Sequence, residues 1–190
     1  MMQLLRLLLL AIFLMLFSSI NAQQYKLAGI NFTTETHGEQ LRPGIGLVVE
    51  RKLTRKSGIE SGIYYRTYHS DWSTTVSGGS NPPVTFYYTI AERFISLPFL
   101  YKFYSRLVNI SAGLSFDFYM GFRQKNKQQQ FIVNDYSIDP NMAVGVQLKI
   151  SKPIKIDDKL ILEPELRFNP VITYLRAYGG LGITAKYRLK

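Results

Sequence analysis

The stretch VNISAGLSFDFYMGF, residues 108–122, separates by parity. Val108, Ile110, Ala112, Leu114, Phe116, Phe118, Met120 and Phe122 occupy the even positions, against Asn109, Ser111, Gly113, Ser115, Asp117, Tyr119 and Gly121 on the odd ones. Successive strand side chains point to opposite faces, so the stretch reads as one long strand with a bulky apolar face and a small or polar face. The pattern recurs downstream. Met142, Val144, Val146, Leu148 and Ile150 alternate with Ala143, Gly145, Gln147 and Lys149, and Leu160, Leu162, Pro164, Leu166 and Phe168 with Ile161, Glu163, Glu165 and Arg167. The last strand sets Leu181, Ile183, Ala185, Tyr187 and Leu189 against Gly180, Gly182, Thr184, Lys186 and Arg188.

Upstream, shorter alternations mark four more strands: Ala28, Ile30 and Phe32; Ile45, Leu47 and Val49; Ile63 and Tyr65; and Ile95, Leu97, Phe99, Tyr101 and Phe103. Turn signals separate them, including Thr54-Arg55-Lys56-Ser57-Gly58, Ser105-Arg106 and Ser151-Lys152-Pro153. No long 3.6-residue period persists, so helix is expected to be minor. The connections after the second, fourth and sixth strands (53–58, 104–107, 151–159) are short or moderate, and those after the third and fifth (70–84, 124–141) are longer and polar. Short turns at one end and longer loops at the other are the layout of an outer-membrane barrel. The expected fold is all-β: an eight-stranded antiparallel up-and-down transmembrane β-barrel.

Volume decides which face meets lipid. An eight-stranded barrel has an interior just wide enough for side chains to fill. Gly, Ser, Ala and Asn fit such a lumen and a ring of phenylalanines does not, so the apolar face is expected outside. The contrary arrangement is a soluble lipocalin-like periplasmic ligand binder with an apolar calyx. It requires a solvating exterior that Ser111, Gly113 and Ser115 do not supply.

The chain's 190 residues suit one domain, and 46% hydrophobic content excludes disorder. With no cysteine, a disulfide scaffold, a thiol nucleophile and a thiolate zinc site are excluded. A formal charge of +10 raises nucleic-acid binding, but the N-terminus points to export. Arg6 precedes the apolar run 7–17, which is followed by Ser18-Ser19-Ile20-Asn21-Ala22. That is the order of a secretory signal peptide, and the run is shorter than the ~20 residues of a spanning helix. Residues 1–22 are therefore expected to be a cleaved signal peptide and 23–190 the barrel domain. Its removal takes away Arg6 and no acid, and an exported protein does not normally meet nucleic acid. The basic excess concentrates in Lys26, Lys52, Arg55, Lys56, Arg106, Lys152, Lys155, Lys159 and Lys190 at the short-turn end, opposed mainly by Asp157 and Asp158. This reads as a periplasmic collar facing anionic headgroups or an acidic partner.

The polar parity also carries ionisable groups of both signs. Glu50, Glu60, Asp117, Glu163 and Glu165 are expected to pair with Arg66, Arg123, Lys149, Arg167, Lys186 and Arg188 as a lumen charge network that plugs the barrel. Catalytic candidates are few. His69 lies in Tyr68-His69-Ser70-Asp71-Trp72, but neighbouring strand residues face opposite ways, so the string makes no triad and reads as a loop histidine beside an interfacial tryptophan. Glu163 and Glu165 share a face, yet Arg167 joins them there, so an ion pair is the simpler account than paired-carboxylate catalysis. Gly78-Gly79-Ser80 lacks the strand-to-helix context of a phosphate loop, and no metal-ligand cluster, metal or cofactor is expected. Tyr64, Tyr65, Tyr68, Trp72, Tyr101, Phe103, Tyr104, Tyr174 and Tyr187 are expected near strand ends at the membrane interfaces.

The stretches Lys26-Leu27-Ala28-Gly29-Ile30-Asn31-Phe32, Ile95-Ser96-Leu97-Pro98-Phe99-Leu100-Tyr101-Lys102 and Tyr178-Gly179-Gly180-Leu181-Gly182-Ile183 resemble the PorT-type, porin-like family of bacterial outer-membrane barrels. The resemblance spans residues 23–190. It implies an integral barrel of the bacterial outer membrane, with outer-membrane lipids, the barrel assembly machinery and other envelope or secretion proteins as partners. Many such barrels end on an aromatic residue, whereas this chain ends Tyr187-Arg188-Leu189-Lys190. The expected function is a non-enzymatic structural or interaction role, with a secretion component, a narrow channel or a lipid A-modifying enzyme as alternatives.

Overall fold

The computed structural model describes residues 26–38, 40–77, 82–126, 133 and 136–189. The expected signal peptide, Gly78-Gly79-Ser80 and Lys190 lie outside the described residues. Among the described residues nine strands follow in chain order: β1 (Lys26–His37), β2 (Gln40–Lys52), β3 (Ser57–Val76), β4 (Val84–Phe103), β5 (Asn109–Asn126), β6 (Met142–Ser151), β7 (Ile154–Lys155), β8 (Leu160–Val171) and β9 (Arg176–Leu189). Eight of them form one antiparallel ring in the order β6, β5, β4, β3, β2, β1, β9, β8, closed where β6 pairs with β8. Closure leaves the ring no open edge. β7 is a two-residue arm on β8.

Parity divides the wall as the sequence implies. Leu47 is 65% exposed and Phe32 54%, while Asn31, Ser96 and Ser111 are fully buried. The exterior carries a continuous apolar surface from Ile30, Ile45, Ile63, Leu114, Leu166 and Leu181. The polar side chains fill the interior, the reverse of a lipocalin calyx.

Three expectations change. The outer-end connections are not uniformly long: β1 meets β2 at a tight turn where Gly38 has φ +60°, and β8 meets β9 through a single 3-10 turn, Ile172–Tyr174, closed by left-handed Leu175. The 70–84 loop is mostly strand, because β3 and β4 continue pairing to Val76↔Val84. His69 and Trp72 therefore lie on β3 and not in a loop. Finally, residues 108–122 are not one uninterrupted parity. The β4–β5 register slips between Phe94↔Tyr119 and Arg93↔Gly121, a bulge that makes Met120 the extra residue and puts Gly121 at φ +116°. A bulge inverts the facing of everything beyond it. Arg123 consequently pairs with Ala91 on the outer wall and is exposed, so it does not belong to the lumen.

Tyr64 and Tyr68 also depart from the expected interfacial positions: both point inward and are buried. Tyr64 lies over its cross-strand partner Gly46, where a Cβ would stand 2.5 Å from Tyr64 Cδ1 and 2.7 Å from the Ile63 carbonyl oxygen. Glycine at position 46 makes room for the ring, and any larger residue overpacks the lumen. Gly46→Ala is expected to cost about 1–3 kcal/mol. The check is a lower urea midpoint at unchanged m-value for the barrel refolded in zwitterionic micelles.

Candidate functional site

The inner face is built in tiers from alternate residues of every ring strand. Nearest the short-turn end, Glu50 of β2, Glu60 of β3 and Glu163 of β8 meet Lys102 of β4, Lys149 of β6 and Lys186 of β9, all buried. Lys186 Nζ stands 2.6 Å from Glu50, 2.7 Å from Glu60 and 2.5 Å from Glu163. Lys102 Nζ reaches the same three carboxylates at 2.9, 3.4 and 2.5 Å. Lys149 pairs with Glu60 and, at 3.1 Å, with Glu165. The Tyr104 hydroxyl donates to Glu50 at 2.6 Å, and Ser151 donates to Glu163. Carboxylate oxygens of Glu50, Glu60 and Glu163 lie within 4.8 Å of one another, a spacing that would suit a cation. Two ammonium groups already stand among them, so the six side chains form a neutral ion cage.

The middle tier centres on Arg167, which pairs with Glu165 and donates to Asn31 Oδ1 at 3.0 Å and to the Tyr64 hydroxyl at 3.3 Å. Asn31 Nδ2 donates in turn to Glu165 at 2.9 Å. Because β3 and β8 stand four positions apart in the ring of eight, the Arg167–Tyr64 bond crosses the full diameter. Above it, Arg42 and Ser96 both donate to Asp117, and Arg66 stands 3.5 Å from Glu35. The Arg42 guanidinium also sits 4.8 Å from the Tyr178 ring centroid. At the outer mouth, Arg176 reaches Glu92 at 3.4 Å, and Tyr136 of the β5–β6 connection donates its hydroxyl to the same carboxylate. Burial and that bond push the Tyr136 phenol above its ordinary range.

Among the described residues, from the cage up to the outer mouth, seven inward carboxylates (Glu35, Glu50, Glu60, Glu92, Asp117, Glu163, Glu165) face seven inward cations (Arg42, Arg66, Lys102, Lys149, Arg167, Arg176, Lys186). Each isolated buried ion would cost several kcal/mol, and equal numbers let almost every one find a partner. Cross-barrel contacts such as Arg167–Tyr64 run through an interior that, at eight strands, is just wide enough for side chains to fill.

Of the residues the sequence singled out, Glu50, Glu60, Glu163, Lys149 and Lys186 meet in the cage, Glu165 and Arg167 in the middle tier, and Arg66 and Asp117 above them. Arg188 stands at the inner mouth and Arg123 outside the wall. Glu35, Arg42, Glu92, Lys102 and Arg176 were missed although each carries the inward parity of its strand. Lys102 lies between Tyr101 and Phe103 within an alternation already recognised, and extending those of Phe32, Ile45, Ile95 and Leu181 by a few residues reaches the other four. The His69 string is split as parity requires: Ser70 is buried and accepts from Trp72 Nε1 at 2.8 Å, while Asp71 lies outside and accepts from Thr89 Oγ1 at 2.5 Å.

Residues 14–175 match the family described as outer membrane protein beta-barrel domain. No curated protein sequence matches the chain. Among solved structures, it is similar to Ail, the attachment invasion locus protein of Yersinia pestis, at 8% identity and TM-score 0.48, covering 90% of this chain and 100% of that one. Neisserial surface protein A is similar at 12% identity and TM-score 0.46, with 88% and 98% covered. The N-terminal β-barrel domain of Pseudomonas aeruginosa OprF is similar at 11% identity and TM-score 0.45, with 87% and 100% covered.

Proposed function

The chain belongs to the outer membrane protein β-barrel domain family, and from that premise we propose that it is a closed membrane anchor that presents its β3–β4 ribbon to a partner outside the cell. It is an integral barrel of the bacterial outer membrane. The observation that carries the reading is strand length: β3 and β4 each run 20 residues, where about 9–11 tilted residues cross a bilayer. The surplus forms a paired ribbon beyond the wall. On one of its faces Trp72↔Tyr88, Thr74↔Phe86 and Val76↔Val84 stand opposite each other, with Trp72, Val76 and Val84 exposed, and Tyr87, paired with Ser73, is exposed on the other face. An exposed aromatic and β-branched surface of this kind supports binding. A lumen crossed by paired ions favours a strut over a conduit, and the absence of any His69–Ser70–Asp71 geometry favours a non-enzymatic role.

Residues 1–22 act in this reading as a removed signal peptide, with 23–190 as the mature barrel contacting outer-membrane lipids and delivered by the barrel assembly machinery. The finer PorT-type assignment rests on the three stretches beginning at Lys26, Ile95 and Tyr178, and places a secretion complex among the partners. Excising 73–87 and rejoining the strands with Asn-Gly tests the proposal. The shortened barrel is expected to remain in the outer membrane and to lose the proteins that co-purify with the full chain from native membranes. An unchanged set of co-purifying proteins would overturn it.

A further inference from the structure

At the short-turn end, the ring encloses a vestibule of about 910 Å³, within the range of ligand sites. Its floor is the neutral cage, represented by Glu50, Lys102 and Glu163, and its walls include Leu27, Phe103, Tyr104 and Ile161. Around these stand Lys52, Arg55, Lys56, Arg106, Lys155 and Arg188. Among the described residues, Glu50 and Glu163 are the acids that line it, and both are engaged by Lys102 and Lys186. Asp157 and Asp158 belong to the adjoining turn but do not line the cavity. Asp157 is tied into that turn by the Leu160 and Lys159 amides, at 2.7 and 2.6 Å, which hold its carboxyl below the usual range. A concave site with low-dielectric walls and one sign of charge focuses its field on anions.

The collar thus divides in two. Lys26, Lys152 and Lys159 lie outside the cavity, where they can meet headgroups, whereas the vestibule cations surround the barrel axis. A phospholipid bound there would have to draw its acyl chains out of the apolar band. We propose that the vestibule is a binding site for an acidic peptide segment of a periplasmic protein, its carboxylates held by Arg55, Lys56 and Arg106 and its apolar side chains lying against Phe103 and Ile161. This site is at the opposite end from the β3–β4 ribbon and does not rest on the ribbon's role.

The test uses the full barrel in phosphatidylcholine nanodiscs with fluorescein-labelled hexaglutamate, read by fluorescence anisotropy, and hexaglutamine as the neutral control. Hexaglutamate is expected to bind and hexaglutamine not. Arg55→Glu, Lys56→Glu and Arg106→Glu combined should raise the Kd at least about tenfold, as three exposed turn residues at near-neutral cost to the fold. Lys125→Glu, at the other end of β5, should leave the Kd unchanged. Equal affinity for the triple variant would overturn the proposal. So would loss of the wild-type signal in phosphatidylglycerol nanodiscs, which would assign the vestibule to lipid headgroups, or inorganic triphosphate binding where hexaglutamate does not, which would assign it to small phosphates. Retention of wild-type hexaglutamate binding in both nanodiscs supports a soluble peptide ligand.

Discussion

Lys186→Met is expected to destabilise the barrel by about 3–5 kcal/mol, the cost of removing one partner from a buried ion cluster. Lys186 Nζ is 1% exposed and contacts three carboxylates within 2.7 Å. Its loss leaves the buried carboxylates Glu50, Glu60 and Glu163 with Lys102 and Lys149, one charge short. Adding Glu163→Gln to Lys186→Met restores neutrality, and the double variant should recover more than half of the lost stability. The measurement is the urea midpoint of the micelle-refolded barrel, with the folded and unfolded forms separated by their gel mobility. A single variant within about 1 kcal/mol of wild type would mean that the cage is hydrated, against its burial.

A second large effect comes from the other face. Leu47 is 65% exposed and pairs with Ile30 and Ile63 halfway along the wall. In a water-soluble barrel, Leu47→Arg would change stability little or raise it. In a bilayer, arginine on the lipid face near the midplane costs about 2–4 kcal/mol, and the penalty falls to about 0–1 kcal/mol near an interface. Leu47→Arg is therefore expected to lower stability in phosphatidylcholine vesicles by the larger amount. Leu41→Arg, beside the β1–β2 turn, should have little effect. Equal effects at the two positions would contradict the depth at which the wall sits.

The inward and outward faces were legible because parity is local: a strand alternates whatever its neighbours do. That rule assigned Lys149, Glu163 and Lys186 to the lumen, and it failed where a local irregularity intervened. The bulge at Met120 turned Arg123 outward, and the only trace in the sequence is Gly121, one glycine among several. Pairing was not legible. Lys102 belongs to β4, and it meets Glu163 of β8 and Glu50 of β2 through the barrel interior, so no spacing along the chain encodes the contact. The length of β3 and β4 was underestimated for another reason. Asp71, Ser73, Thr74 and Thr75 have a loop-like composition, and they stay in register because β4 pairs with them.

By itself, then, the sequence determined that this chain builds an eight-stranded barrel with bulky side chains outside and small or charged ones inside, because alternation and volume leave one face able to fill a narrow lumen. Only the tertiary structure decided that the charges form a balanced cross-barrel network above a basic vestibule. Ring closure and strand register set which inward residues share a level, and buried ions settle with whatever countercharge stands at that level.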